Sequence, residues 1–231
     1  MRTFFKSFCI ILGLSLVFSI FTPSSFAAKS DDVIVIDKKN AIYDQELGKY
    51  ITPLKKTNGK LIPFSNSEYL NTIQKLESVA DLTLLNNQIT PLDYYEYWKY
   101  SPSSTSTVTG STKKVTSEIW CNSNSCSISK SVGVTVSESY SVSATAEKNA
   151  IKANAGFTWT TSATDTSTYS FTLGFGDSGY IGFKPYLRKT SGSLKKYSNW
   201  DGYLFSKSAY AYSPKKTSSG EADGFYYFVH N

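Results

Sequence analysis

From Val115 onward the apolar positions recur every second residue. Ile128, Val132, Val134, Val136, Tyr140, Val142, Ala144 and Ala146 share one parity. Ser127, Ser129, Ser131, Thr135, Ser137, Ser139, Ser141, Ser143 and Thr145 share the other. A period of two is that of a strand with one buried and one wet face. The run 128–146 exceeds the usual 3–10 residues of a strand, so either it bends, with Gly133 one place to do so, or the strand is unusually long. Glu147–Ala150 reads as a turn. Alternation resumes with Ile151, Ala153, Ala155, Phe157, Trp159 and Ala163. After a turn at Asp165–Thr166 come Tyr169, Phe171, Leu173 and Phe175. Gly176–Gly179 signals a tight hairpin. Ile181, Phe183 and Leu187 form a strand that Pro185 places at an edge or an end. Residues 200–212 and 225–230 supply two more strands.

Upstream the pattern differs. Val33–Ile36 is a short strand candidate. Ser65 and Glu68 have capping-box spacing, and Leu70, Ile73, Leu76 and Ala80 follow at helical spacing, predicting a helix over 66–79. Residues 91–100 are dense in aromatics. Residues 101–114 are polar and low in complexity, which reads as a linker. The expected fold is mainly β: an antiparallel β-sandwich or elongated twisted sheet over 115–231. A small mixed α/β segment over 28–100 precedes it, and the sequence leaves open that this is a removed pro-segment.

Residues 1–27 read as a secretory signal peptide. Arg2 and Lys6 precede an apolar run from Phe8 to Phe21, Pro23 ends it, and cleavage between Ala27 and Ala28 follows. The run is shorter than the ~20 residues of a spanning helix. Cys9 lies mid-run, away from any lipoprotein boundary. The mature chain then carries 22 basic and 18 acidic residues, a net charge of +4, and keeps only Cys121 and Cys126. In an oxidising compartment these two predict a disulfide at a hairpin tip.

Candidate chemistry is sparse. Gly174–Gly179 matches a dinucleotide-binding pattern, but no helix follows to receive a pyrophosphate. The same stretch contains Gly-Asp-Ser-Gly, as around a serine-protease nucleophile. The single histidine of the chain, His230, follows it in the wrong order for that family. Asp93 with Glu96, and Glu221 with Asp223, are carboxylate pairs that a glycan-acting enzyme could use. We expect a non-enzymatic protein with no cofactor, no metal and no nucleotide.

Charge says more. Residues 188–216 hold seven basic residues against Asp201 alone, interleaved with aromatics. Arg188, Lys189, Lys195, Lys196, Tyr197, Trp200, Lys207, Lys215 and Lys216 are the candidate surface-binding residues. Outside a cell, their partners would be anionic lipid, wall polymer or another polyanion at a cell surface. Intracellular nucleic acid is not expected, and a homo-oligomer stays open.

Two resemblances add to this. Gly179–Thr190 and Ser218–Tyr227 resemble small secreted β-rich proteins of Gram-positive bacteria, chiefly Bacillus relatives. The Ser/Thr-rich strands, 32 Ser or Thr in residues 101–172, and the alternating pair 128–146 and 151–163 resemble aerolysin-like β-pore-formers (epsilon-toxin and mosquitocidal-toxin types). That second resemblance implies a toxin that inserts an amphipathic hairpin, about residues 128–163, as an alternative to surface binding alone.

Overall fold

The computed structural model describes residues 35–76 and 93–231. The signal-peptide reading, with its cleavage site at Ala27 and Ala28, lies outside these, as do residues 77–79 of the expected helix. In chain order the strands are β1 (Val35–Ile36), β2 (Ile42–Asp44), β3 (Lys49–Thr57), β4 (Lys60–Pro63), β5 (Glu96–Thr109), β6 (Lys113–Lys114), β7 (Ile119–Trp120), β8 (Ser125–Ser131), β9 (Val134–Ser137), β10 (Ser139–Tyr140), β11 (Ser162–Asp165), β12 (Thr168–Gly174), β13 (Ser178–Ser198), β14 (Gly202–Pro214) and β15 (Gly224–His230). Helix α1 (Asn66–Leu76) follows β4, and α2 (Thr145–Ala153) lies between β10 and β11.

The protein is mainly β, with most strands in one large mixed sheet ordered β1-β12-β4-β3-β15-β13-β14-β10. Strands β5, β6 and β7 also pair with β13, β2 with β3, and β8 with β12. Strands β9 and β11 form a separate pair. Pairing is antiparallel except at β1–β12 and β12–β4.

Strand β13 organises the molecule. It is 21 residues long, roughly 70 Å at 3.3 Å per residue. Its first half pairs with β15 in the body. Its second half pairs with β5 on one side and β14 on the other, making a long three-stranded extension.

Burial follows from these partners. The run Phe225–His230 is buried throughout because β15 is covered on both faces. Tyr226 and Phe228 pack with Ile181, Phe183, Phe171 and Leu54. Phe225, Tyr227 and Val229 face the other way, toward Tyr69 of α1 and Tyr186. A strand wet on neither face loses the alternation that marks a half-exposed one. Helix α1 starts as its sequence predicts: the Glu68 N–H donates to Ser65 Oγ at 3.3 Å, and the Ser65 N–H donates to Glu68 at 3.1 Å. A third core, Tyr100, Leu194, Ala209 and Ala211, lies beneath Ala150 and Ile151 of α2.

Several sequence expectations change. Residues 101–109 are not linker but the second part of β5, paired with β13 as far as Thr109. Ser and Thr suit an edge strand with wet surfaces, so low complexity did not mean disorder. The boundary drawn at residue 100 therefore falls inside a strand, and β3 joins the main sheet through β15. The stretch 128–146 is broken into β8, β9 and β10 and ends in a helix, and Glu147–Ala150 lies within α2 rather than at a turn. The chain does not turn back at Asp165–Thr166 but continues from β11 into β12. Gly176–Gly179 does not close a hairpin, since β12 and β13 pair with different strands. Pro185 sits buried inside β13, where the strand passes from β15 to β5, and its carbonyl accepts from Gly110 at 2.8 Å.

The Cys121–Cys126 disulfide is present. It clips β7 to β8, and these have different partners, β13 and β12, so it does not cap a hairpin.

Candidate functional site: a segment folded against a three-stranded sheet

The register of two strand pairs defines the site. Strand β8 pairs with β12 from Ser125–Gly174 to Ser131–Thr168. Strand β9 pairs with β11 from Val134–Asp165 to Ser137–Ser162. Between these pairs each strand advances three residues, so no residue is gained or lost. The intervening Val132 N–H donates to Ser167 O at 3.0 Å, and beyond them Glu138 N–H donates to Thr161 O at 2.9 Å. One unbroken register thus runs from Ser125–Gly174 to Glu138–Thr161. Residues 139–160 then leave it. Strand β10 joins the edge of β14, pairing Ser139 with Tyr212 and Tyr140 with Ala211. Helix α2 then lies over the sheet.

Both ends of the segment are bonded to β14: the Ser141 N–H donates to Tyr210 O at 2.9 Å, and the Thr160 N–H donates to Ser213 Oγ at 2.8 Å. Lys207 pairs with Glu147 at 2.7 Å, and Lys152 with Glu138 at 2.8 Å. The Trp159 indole N–H donates to Glu138 at 2.6 Å. Partial burial acts to raise the Glu138 pKa, but the bonds from Lys152 and Trp159 outweigh it and hold the carboxyl below its usual value. The Tyr140 and Trp159 rings stack at 5.5 Å. Helix α2 buries Glu147, Ala150 and Ile151, and its N-cap, Ala144, offers no side-chain bond. Nine residues without a cap make a marginal helix on their own.

The basic stretch 188–216 does not form one patch. Alternation sends Arg188, Lys196 and Lys207 to the face that carries α2, and Lys189, Lys195 and Tyr197 to the opposite face. Carboxylates from elsewhere in the chain neutralise much of it: Glu96 pairs with Lys196 at 2.5 Å, Glu147 with Lys207, and Asp223 with Lys215 at 2.9 Å. Arg188 lies over the Phe157 ring, and Lys189 over Tyr210 and Tyr212. Lys216 lies outside the sheet extension and bridges to Ala222. Trp200 is in the β13–β14 turn and is 70% exposed. Sequence reasoning missed Lys99, which β5 sets directly beside Lys195. Its signal was the same period of two, hidden by reading residues 101–114 as linker.

Three of the four paired carboxylates, Glu96, Glu221 and Asp223, are engaged in structure. Glu96 also accepts from the Tyr94 hydroxyl at 3.1 Å, and Glu221 accepts from Ser167 and Lys56. Lys56 reaches the buried Asp165 at 2.6 Å, and the Tyr169 and Tyr226 hydroxyls donate to the same carboxylate. Burial opposes ionisation of Asp165, yet these bonds hold its pKa far below the usual range. His230 Nε2 lies 2.8 Å from Thr52 Oγ1, and its Nδ1 lies 3.7 Å from Asp177. That is a nucleophile–base–acid order, but Thr52 is only 1% exposed, so the trio ties β3, β15 and the start of β13 together. Among the described residues, no group of three or more His, Cys, Asp or Glu side chains is placed to hold a metal.

Burial lowers the His230 pKa, with Asp177 opposing that shift. The folded state therefore binds the proton less well than the unfolded chain. Stability is full above the unfolded value of about 6.5 and falls as pH drops below it, toward the lower folded value. The melting temperature should decline between pH 7.5 and 5.5, and His230→Gln should flatten that slope. An equal slope in both proteins would assign it elsewhere.

Residues 94–231 match the model of a family of unknown function, DUF6060. The chain belongs to that family. No curated protein and no solved structure gives a significant match. The DUF6060 region begins at the start of the three-stranded extension and contains both the unbroken register and the segment 138–161.

Proposed function

We propose that this is a secreted, non-enzymatic pore-forming protein, and that residues 138–161 are its inserting segment. The unbroken register on either side of the segment carries this reading. Continued through residues 138–161, it places the turn at Asn149–Ala150. It then sets Tyr140 opposite Trp159, Val142 opposite Phe157, Ala144 opposite Ala155 and Ala146 opposite Ala153, all on one face. The other face pairs Ser139 with Thr160, Ser141 with Thr158, Thr145 with Asn154 and Glu147 with Lys152.

This is the pattern of a transmembrane β-hairpin, with one face for lipid and one for water. The arms, residues 138–148 and 151–161, match the ~9–11 residues needed to cross a bilayer. Tyr140 and Trp159 already stack as the register requires. Glu147 and Lys152, now bound to Lys207 and Glu138, would meet each other across the hairpin, while Glu138 and Lys148, which share the face of Tyr140, fall at its two ends, one at the base and one beside the turn. Among the described residues no helix is long and apolar enough to cross a membrane, and crossing by strands needs none. The secretory reading of residues 1–27 and the resemblance to aerolysin-like proteins agree with this function.

The direct test mixes the purified protein beginning at Ala28 with dye-loaded phospholipid vesicles. Dye release with an SDS-resistant oligomer is expected. Protein that binds vesicles of several compositions and releases no dye from any would remove the proposal.

A further inference from the structure

The end of the three-stranded extension carries aromatic rings on all sides. Tyr97, Tyr197 and Tyr203 are neighbours in register across the three strands on one face, and Tyr97 stacks on Tyr197 at 5.5 Å. Trp98 and Phe205 meet at 5.6 Å on the other face. Trp200 caps the end. Soluble proteins seldom leave such a cluster uncovered without a use for it.

The end is rigid. Asn199 in the turn accepts from the Tyr95 N–H at 3.0 Å and donates to Asp93 O at 2.6 Å, while Asp201 N–H donates to Ser198 Oγ at 2.7 Å. Gly202 has φ +73°, a conformation that closes the turn and that other residues rarely adopt. One rung behind the tyrosines, Lys99 and Lys195 sit side by side. Among the described residues, neither has a carboxylate partner. The acids nearest the end are engaged or single: Glu96 binds Lys196, Asp201 binds Ser198, and Asp93 remains.

We infer that this end is an anchor for the interface of a phospholipid bilayer: the rings of Trp200 and Tyr203 lie among the headgroups, and Lys99 and Lys195 rest on the lipid phosphates. Trp and Tyr take the headgroup level because one part of each ring system is apolar and the other is polar. Lysines one rung back can bury their stems and reach phosphate. The choice of a bilayer over other polyanions rests on the pore-forming reading and on direction. The segment 138–161 runs from the level of Tyr212 to that of Lys207 and Leu194, so it points toward this end.

The test uses the full mature chain with residues 138–161 tied to β14 by oxidised cysteines at positions 139 and 212, so that binding is read without insertion. Pelleting is measured on phosphatidylcholine vesicles and on equal mixtures with phosphatidylglycerol. W200S/Y203S should weaken binding to both, and its exposed positions make misfolding a minor concern. K99S/K195S should weaken binding only to the anionic mixture, by about fivefold per lysine. Binding of the parent that neither variant changes overturns the anchor, as does a parent that binds soluble anionic polysaccharide but neither vesicle. If the untied protein releases dye while tip variants bind normally, the anchor fails and the pore stands. Tip-dependent binding without dye release by the untied protein gives the reverse.

Discussion

Oxidised S139C/Y212C protein should bind vesicles and release none of their contents. Ser139 and Tyr212 are Cα partners in the β10–β14 pairing. Antiparallel partners lie about 4.5–5.5 Å apart, within the span of a disulfide. The bond would fix the first residue of β10 to an edge strand that the proposed conversion must abandon. Tyr212→Cys gives up the ring's contacts with Lys189 and Tyr210, but Ser139 is exposed and Tyr212 only half-buried, so the tied protein should still fold and melt cooperatively. Adding reductant should restore release. Reductant also opens Cys121–Cys126, so the parent must be assayed under the same conditions. If the tied protein releases dye as fast as the parent, residues 138–161 stay on β14 during activity and the inserting element lies elsewhere.

The same segment shows where sequence and fold part company. A period of two runs from Tyr140 to Ala146 and again from Ile151 to Trp159, yet the folded chain holds nine of the residues between Ser139 and Thr160 as a helix. Local pattern and global structure ordinarily agree, and a conflict between them marks a functional or strained place. Here the pattern fits a hairpin, while the helix is kept by packing of Ala150 and Ile151 on Tyr100 and Leu194 and by two ion pairs.

Other features were legible where a local rule was enough. The Ser65–Glu68 capping box and the Cys121–Cys126 bridge needed only neighbouring residues. The basic stretch was not legible as a site, because its neutralising acids, Glu96, Glu147 and Asp223, come from three other places in the chain. Pro185 misled for a related reason. Proline is excluded from a strand only where its missing N–H is needed, and at this position β13 is changing partners.

The alternation also makes a test that packing in the folded state cannot mimic. Thr145, Ala146 and Ala153 are all exposed on α2. Arginine at any of them should leave the folded state within about 0.5 kcal/mol of the parent, since exposed helix positions accept it. In the hairpin the three positions are not equivalent. Ala146 and Ala153 face lipid, and Thr145 faces water. A lipid-facing arginine costs about 2–4 kcal/mol near mid-bilayer and less toward the interfaces. Ala146 and Ala153 lie near the turn, toward the far interface, so an intermediate cost of about 1.4 kcal/mol applies, which lowers release roughly tenfold for each inserted chain. A146R and A153R should therefore bind vesicles, melt like the parent and release little dye, while T145R releases dye normally with a pore more selective for anions. Equal loss in all three variants would point to a requirement for α2 itself, and equal activity would leave the hairpin without a lipid face.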